Sequence, residues 1–253
     1  MFQPFPQFAN PVERFVQIPV APKKKLRTFE QRHLQVARSA RYAVMGSLDG
    51  DLNEVWIVCH GHGQLARRFL SRFLPLERSD RLFVAPEALS RFYLEPPRVG
   101  PNAATVPVGA SWMTAEDREF EIQDYVNYLD RLHDEIFSVV DRAKVRLWVL
   151  GFSQGTATVA RWVSRGNADP DRVVVYAGLL PSELDAEAAS RLARRSPLTI
   201  VLGTHDQFAK PELVAAQEAR LKELDVRHMT IRFEGGHEIV PEMLMRLTEE
   251  VRD

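Results

Sequence analysis

A serine between two glycines stands at a predicted junction of a strand and a helix. Residues 151–155 have the sequence Gly-Phe-Ser-Gln-Gly, directly after the apolar run 145–150 and directly before a helical pattern over 156–164. This G-x-S-x-G arrangement is typical of a sharp turn that lifts a serine hydroxyl to the carboxyl end of a sheet, where it can act as a nucleophile. Glycine is needed on both sides because side chains there would collide with neighbouring backbone. Ser153 is therefore the candidate nucleophile.

The other two members of a hydrolytic triad follow in the chain. A G-x-S-x-G match arises by chance in roughly one chain in ten of this length, so it needs support. A serine hydroxyl is a weak nucleophile that requires a general base, and the base requires an orienting carboxylate. Asp206 comes just after the apolar run 198–202, and His237 just after the run 229–233. We predict Asp206 as the acid, His237 as the base, and the neighbouring His205 as a loop residue.

Two backbone N–H groups are required to hold the oxyanion that forms when an acyl carbon is attacked. One is expected from Gln154, the residue after the nucleophile. The other is expected from the loop after the apolar run 55–59, which has the sequence His-Gly-His-Gly over 60–63. Glycines there let the backbone approach a substrate carbonyl. We assign the second donor to the N–H of His62, with Gly63 as the alternative.

The same loop is compatible with two other chemistries. Gly61-x-Gly63-x-x-Ala66 after a strand matches a dinucleotide fingerprint, which would make the chain a nicotinamide or flavin enzyme. The acidic residue expected about 20 positions later does not stand cleanly at the end of the next strand, and the triad residues would be left unexplained. His60 and His62 resemble a pair of metal ligands, but no third ligand with metal spacing follows. We therefore expect neither a cofactor nor a metal.

Continuous apolar runs alternate with helical patterns through most of the chain. Such runs are typical of strands buried on both faces, and their alternation with helices predicts a mostly parallel sheet with helices on both sides. Ligands of such sheets bind at the carboxyl ends of the strands. Strands are predicted over 55–59, 81–85, 145–150, 173–177, 198–202 and 229–233. Helices are predicted over 156–164, 185–195, 211–224 and 241–251. A further helix is predicted to begin at Thr114, with Asp117 in a capping box.

The N-terminal part has a different pattern. Apolar residues alternate from Leu34 to Val44, which predicts half-buried antiparallel strands in an N-terminal hairpin. Residues 1–22 are rich in proline and phenylalanine without a continuous apolar core, so we do not expect a signal peptide. At 253 residues, the chain is expected to form an N-terminal extension, 1–28, and one α/β domain, 29–253.

Composition and charge exclude several classes of protein. The chain is 45% hydrophobic and 26% charged, as ordinary globular proteins are, and its net charge of -1 gives no electrostatic support for nucleic-acid binding. No stretch approaches the ~20 apolar residues of a membrane span, so stable membrane insertion is not expected. Cys59 is the only cysteine, which excludes an intramolecular disulfide and fits a reducing compartment. We predict a cytoplasmic location and leave the oligomeric state open.

Four short motifs together resemble the carboxylesterase/phospholipase family of α/β-hydrolases, which includes acyl-protein thioesterases and bacterial carboxylesterases. They are H-G-x-G at 60–63, G-F-S-Q-G at 151–155, G-x-x-D at 203–206 and G-G-H at 235–237. The resemblance covers roughly residues 52–250, and the order serine, aspartate, histidine is that of the α/β-hydrolase fold. It implies this fold, and it implies the roles assigned above to the triad and to the backbone at 62 and 154.

The chain departs from the pattern of that family in three places. The family usually follows H-G-x-G with an acidic residue and a polar loop, where this chain has Gln64, Leu65 and Ala66. Its glycine after G-F-S-Q-G is Thr156 here, and the N-terminal part is longer than in its shortest members. These departures concern acyl specificity, so thioesterase action on lipidated proteins is not implied.

The segment 88–114 is rich in proline and aromatic residues. It is expected to cross the catalytic face as a specificity loop or partial lid, and an ordinary packed surface loop is the alternative. We predict Phe92, Tyr93, Trp112 and Met113 as substrate-binding residues. Trp112 is the foremost of these, because the resemblance places it where the family tends to have a tryptophan.

The predicted activity is hydrolysis of a carboxylic ester by a serine hydrolase, through an acyl-enzyme intermediate. Thioesters and lysophospholipids are further candidate substrates, and the expected partner is a small acyl ester. The alternative from another class is a non-catalytic protein with the same fold that binds small molecules. A dinucleotide-dependent enzyme is the less favoured alternative.

Overall fold

The computed structural model describes residues 29–96 and 106–249. The chain divides into two compact units, Met1–Arg38 and Ser39–Asp253. In the first unit, residues 29–38 have no regular secondary structure. The expected extension 1–28 lies outside the described residues, so the boundary predicted after residue 28 stays a prediction.

The second unit is built on a seven-stranded sheet with the strand order β1-β3-β2-β6-β7-β8-β9, beside a separate pair formed by β4 and β5. The strands are β1 (Tyr42–Met45), β2 (Glu54–Cys59), β3 (Arg81–Pro86), β4 (Ser90–Tyr93), β5 (Val108–Ser111), β6 (Arg146–Phe152), β7 (Arg172–Tyr176), β8 (Leu198–Gly203) and β9 (His228–Phe233). Strand β1 is antiparallel to β3, and all other pairs in the large sheet are parallel.

The strands form where the continuous apolar runs predict them. All residues of β2, β3 and β8 are buried, because helices cover both faces of these strands. The N-terminal alternation was expected to make a hairpin. Only its last part, Tyr42–Met45, is a strand, and its partner is β3 rather than a neighbouring strand of a hairpin. Residues 34–41 have no regular secondary structure.

Helices on the two faces of the sheet enclose two hydrophobic cores. The helices are α1 (Ala66–Leu70), α2 (Arg118–Phe137), α3 (Gln154–Arg165), α4 (Ala186–Leu192), α5 (Pro211–Glu223) and α6 (Pro241–Glu249). Helices α2 to α5 contribute to the core on one face, and α1 and α6 contribute to the core on the other. Short 3-10 helices cover Ser71–Leu76 and Arg142–Lys144. Within the described ranges no helix has the length and apolarity needed to cross a membrane.

Helix α2 begins later than its predicted start at Thr114. Its N-cap is Asp117, which has a left-handed backbone with φ of 49°. The N–H of Thr114 donates to the Glu121 carboxylate at 2.5 Å, and its hydroxyl donates to the same carboxylate at 3.1 Å. These side-chain bonds hold residues 114–117 in a turn that precedes the helix, so the predicted capping box does not form.

The parallel strands all have their carboxyl ends at one edge of the sheet, and β6 is the central strand of the seven. The turns after β2, β6, β8 and β9 therefore meet at this edge. They carry the predicted oxyanion loop, nucleophile, acid and base.

Candidate active site

The turn between β6 and α3 holds Ser153 in a strained backbone conformation, with φ of 54° and ψ of -117°. Such a conformation costs of order 1–3 kcal/mol for a residue with a side chain and persists only where its surroundings enforce it. The serine N–H donates to the carbonyl of Tyr176 at 2.9 Å. A Cβ at Gly151 would collide with the carbonyl of Gly155, and one at Gly155 with the carbonyl of Cys59. The two glycines thus permit the sharp turn that exposes the serine hydroxyl.

The side chains of the three predicted triad residues form one hydrogen-bonded chain. Nε2 of His237 lies 2.9 Å from Oγ of Ser153, and its Nδ1 lies 2.8 Å from Oδ2 of Asp206. The Asp206 side chain is fully buried, and its Oδ1 accepts the N–H of Phe208 at 2.8 Å. With Asp206 ionised, Nδ1 must carry a proton, which leaves Nε2 of the neutral imidazole as the acceptor for the serine hydroxyl. This arrangement can remove a proton from Ser153.

Two aromatic rings flank the imidazole of His237. The ring centroid of Phe152 lies 5.1 Å away, and that of Phe208 lies 4.6 Å away in an edge-to-face arrangement. Phe208 is 60% exposed, so it forms an open apolar wall beside the base. Sequence reasoning did not identify Phe208. Its position two residues after the predicted acid, in the same turn, was the available signal.

The N–H groups of the H-G-x-G loop have different uses. The N–H of Gly63 donates to the carbonyl of Ala110 at 2.9 Å, and that of Gln64 donates to the carbonyl of Gly61 at 3.2 Å. The backbone N–H groups of His62 and Gln154 have no hydrogen-bond partner among the residues that the structure describes. The alternative donor Gly63 is thus engaged elsewhere, while both predicted donors are available for a substrate oxygen.

The side chain of Gln154 ties the nucleophile turn to the segment after β5. Its Nε2 donates to the carbonyl of Met113 at 2.9 Å, and its Oε1 accepts the N–H of Trp112 at 3.1 Å. On the other side of the site, Oε1 of Gln64 accepts the N–H of Gly61 at 2.9 Å and closes the H-G-x-G loop. Neither side chain was predicted to have a role. The contacts of Gln154 join residues about 40 positions apart in the chain, whereas that of Gln64 is local.

His60 is a buried structural residue. Its Nδ1 lies 2.7 Å from the carbonyl of Gly61, and its Nε2 accepts the N–H of Ala88 at 3.1 Å. Burial lowers the pKa of this imidazole, which favours its neutral form. Both nitrogens are engaged, which leaves neither for the metal pair considered with His62. In the described ranges, no group of three or more His, Cys, Asp or Glu side chains is arranged to hold a metal ion.

The loop that matches a dinucleotide fingerprint is followed by a helix of only five residues, α1. The Ala66 N–H at its start donates to Oε2 of Glu87 at 3.3 Å, and the Glu87 side chain is 2% exposed. The N–H at the helix start, where a dinucleotide pyrophosphate would bind, is therefore already engaged by a buried carboxylate. This contact argues against the dinucleotide alternative.

Part of the predicted specificity segment 88–114 is an antiparallel pair of strands, β4 and β5, and residues 97–105 lie outside the described part of the chain. Strand β5 also bridges to the residue that follows the H-G-x-G loop, because the N–H of Ala110 donates to the carbonyl of Gln64 at 3.1 Å. The ring of Phe92 stacks on His62 with a centroid distance of 5.0 Å, and Tyr93 is 55% exposed. The pair of strands thus brings Phe92 to the H-G-x-G loop.

Trp112 occupies a supporting position rather than a lining one. It is 2% exposed, and its indole N–H donates to the carbonyl of His60 at 2.8 Å. The side chain of the neighbouring Met113 is partly buried, and its sulfur lies 3.4 Å from Nη1 of Arg161. A large apolar ring with one N–H is most stable where the ring is buried and the N–H bonded. The structure therefore leaves Trp112 almost no surface for the substrate contact that was predicted.

The comparisons with known proteins identify a fold. The chain matches no protein-family model and no curated protein. It is similar to the structure of acyl-protein thioesterase 2 of Zea mays, with 20% identity, a TM-score of 0.61, and coverage of 84% of this chain and 98% of that one. It is also similar to a carboxylesterase of Mesorhizobium loti, with 15% identity, a TM-score of 0.63, and coverage of 84% and 95%. A third similar structure is the esterase PE8, with 17% identity, a TM-score of 0.56, and coverage of 85% and 100%.

These likenesses confirm the predicted fold class. The chain has the α/β-hydrolase fold, with a mostly parallel central sheet and helices on both faces. Sequence identities of 15–20% carry the fold alone, because one fold supports many activities.

Proposed function

We propose that this protein is a serine hydrolase that cleaves carboxylic esters through an acyl-serine intermediate. The observation that carries the proposal is the continuous chain of contacts from Ser153 through His237 to the buried Asp206, at 2.9 and 2.8 Å. Nucleophile, base and orienting carboxylate in this geometry are the requirements for activating a serine hydroxyl. The similarity of the fold to esterases and a thioesterase is consistent with this chemistry.

Acylation begins when Nε2 of His237 takes the proton of Ser153 as the oxygen attacks the ester carbonyl. A bond forms between Oγ and the acyl carbon, and the carbonyl electrons move onto oxygen. Asp206 stabilises the imidazolium that results. When the tetrahedral intermediate collapses, the bond to the alcohol oxygen breaks, and the imidazolium returns its proton to the departing alcohol.

Deacylation repeats these steps with water. His237 removes a proton from a water molecule, whose oxygen attacks the acyl carbon. The bond to Oγ then breaks, the acid departs, and Ser153 recovers its proton. During both steps the developing oxyanion would accept hydrogen bonds from the N–H groups of His62 and Gln154, which are free of other partners within the described residues.

The proposed substrate is a small acyl ester, with thioesters and lysophospholipids as further candidates. Phe208 beside the base and Phe92 against His62 are apolar surfaces next to two of the residues proposed for catalysis. We propose Phe92, Tyr93 and Phe208 as contacts of the substrate. Trp112 would influence specificity by positioning the oxyanion loop rather than by touching the substrate.

The test combines a probe for activated serines with matched histidine variants. A fluorophosphonate probe should label Ser153, mapped by mass spectrometry, and labelling should disappear in Ser153→Ala. On p-nitrophenyl acetate, butyrate and octanoate, His237→Ala should lower kcat/KM by at least ~10³. The control His205→Ala, at an exposed residue beside Asp206, should remain within a few-fold of the wild type.

A folded protein that is not labelled and hydrolyses no ester would contradict the proposal and favour the non-catalytic binding protein. Equal losses in His205→Ala and His237→Ala would contradict the assignment of the base.

A further inference from the structure

A cavity that the proposed mechanism does not use lies between helix α5 and the segment that follows β7. Its volume is 190 Å³. The wall is mostly apolar and contains six leucine side chains: Leu179, Leu180, Leu184, Leu213, Leu221 and Leu224. A buried apolar cavity of about 150 Å³ is large enough to hold benzene, so this one can accommodate roughly seven or eight non-hydrogen atoms.

One polar group of the cavity wall has no hydrogen-bond partner in the described part of the chain. Oε1 of Gln217 accepts the N–H of Leu180 at 2.6 Å, which fixes the orientation of the amide because only the oxygen can accept. Nε2 of Gln217 is then a donor, and it is buried with no partner among the described residues. A buried donor without an acceptor is unfavourable, and such groups are rare in native structures. Its presence in a cavity wall points to an acceptor on a ligand.

A cation, Arg220, lies one helical turn away in the same wall. The guanidinium of Arg220 donates to the carbonyls of Pro181, at 3.0 Å, and Leu184. It forms no ion pair with any described residue. Residues three apart on a helix face the same side, so Gln217 and Arg220 give the cavity one polar, positively charged side.

We propose that this cavity binds a small amphipathic monocarboxylate with about six carbons, the carboxylate carbon included. The carboxylate would accept the free N–H of Gln217 and pair with Arg220, while the hydrocarbon would lie among the leucines. An alcohol of the same length lacks the charge for Arg220, and an amine carries the wrong one. The proposal does not depend on the proposed esterase activity, since neither Ser153 nor His237 lines the cavity.

The direct test is a titration of the leucine-methyl-labelled protein with hexanoate, followed by NMR. A ligand of this size is expected to bind with a Kd in the roughly millimolar range. Hexanoate should cause saturable shifts of the methyl signals of Leu221, in the last turn of α5, and of Leu224, directly after the helix. Hexanol and hexylamine should bind at least ~10-fold more weakly, as expected when a charge-assisted hydrogen bond is lost.

Two variants connect binding to the two features of the wall. Gln217→Glu keeps an acceptor for the N–H of Leu180 but replaces the free donor with a carboxylate, so hexanoate should bind at least ~10-fold more weakly. The matched control Gln123→Glu makes the same charge change at an exposed position of α2 and should bind as the wild type does. Ala216→Phe fills the cavity from α5 and should abolish binding in a protein whose thermal melting shows that it is folded.

No saturable shift at Leu221 and Leu224 through tens of millimolar hexanoate would overturn the proposal. Equal affinity for hexanoate and hexanol, or unchanged affinity in Gln217→Glu, would also overturn it. Ser153→Ala should bind hexanoate as tightly as the wild type, so failure of the proposed esterase function would leave this result unchanged.

Discussion

Replacing Asp206 with asparagine would change the chemistry of the site with almost no change in shape. The two carboxylate oxygens of Asp206 accept hydrogen bonds from the N–H of Phe208 and from the Nδ1–H of His237, each at 2.8 Å. In Asp206→Asn, the amide oxygen can keep the bond to Phe208 only if the amide NH₂ faces the imidazole. Nδ1 must then accept a hydrogen bond, and the imidazole proton moves to Nε2. An Nε2 that carries a proton cannot take the proton of Ser153.

We expect kcat/KM of Asp206→Asn to fall by about 10⁴, which corresponds to about 5 kcal/mol at the transition state. The loss has two sources, namely the wrong tautomer of His237 and the missing carboxylate charge beside the imidazolium. Solvent weakens neither effect strongly, because the Asp206 side chain is fully buried. KM should change little, since Asp206 lies behind the base and is not placed to contact the substrate.

The assay is the measurement of kcat and KM on p-nitrophenyl butyrate, with thermal melting to verify the fold. Asp225→Asn is the matched control, because Asp225 is exposed and its left-handed backbone, with φ of 53°, is one that asparagine tolerates. The control should retain wild-type kinetics. A folded Asp206→Asn that loses less than 10-fold in kcat/KM would refute the tautomer argument.

Three further predictions concern stability and reactivity. Burial by itself would raise the pKa of Glu183, but hydrogen bonds led by the one from Arg161 lower it from 4.5 to about 2. Because the folded-state pKa is the lower one, the contribution to stability is present above pH 4.5 and is lost as the pH falls toward 2. Urea unfolding should therefore find Glu183→Gln less stable than the wild type by about 1 kcal/mol at pH 7, after allowance for solvent screening, and this difference should shrink below pH 4.5. A constant difference down to pH 3.5 would contradict the ion-pair account. Burial raises the pKa of the Cys59 thiol, so Ellman's reagent at pH 8 should react with this cysteine only after unfolding in guanidinium, and rapid reaction in the native state would show that the core opens. Gly155→Ala should unfold or severely destabilise the protein, since its Cβ would collide with backbone, whereas Gly236→Ala has open space around its Cβ and should melt near the wild-type temperature; similar melting of both variants would be the unfavourable result.

The parallel core of the fold was predictable from local sequence. Each of the six strands predicted from a continuous apolar run begins within one residue of its predicted start. Strands β2, β3 and β8 are buried throughout, and a strand buried on both faces is mostly apolar. Strand β9, at the edge of the sheet, keeps exposed residues although its run was interpreted in the same way. The pair of strands β4 and β5, the short helix α1 and the turn before α2 were missed. Their stability comes from contacts with distant residues, such as the bridge between Gln64 and Ala110, and no local periodicity reports such contacts.

The three triad residues of the candidate site were predictable from the sequence. The residues that pack against them or hold their loops in place were less so. Ser153, Asp206 and His237 stand out because each follows a strand that aims its carboxyl end at the same edge of the sheet. Their catalytic roles stay predictions until they are measured. The position of Phe208 depends on tertiary packing, and that of the Gln154 side chain on hydrogen bonds to residues 112 and 113. Trp112, predicted to contact the substrate, is buried.

The sequence by itself determined the parallel sheet. It also determined the chain order of the candidate nucleophile, acid and base, and that they meet at one edge of that sheet. Backbone sterics and the burial of apolar runs are local causes, and they can be recognised without coordinates. Only the tertiary structure decided which aromatic rings are exposed and which N–H groups have no partner among the described residues, that of Nε2 of Gln217 included. These properties depend on which atoms lie within about 3 Å of one another after packing, and residues such as Leu180 and Gln217 are brought together by the fold rather than by their neighbours in the chain.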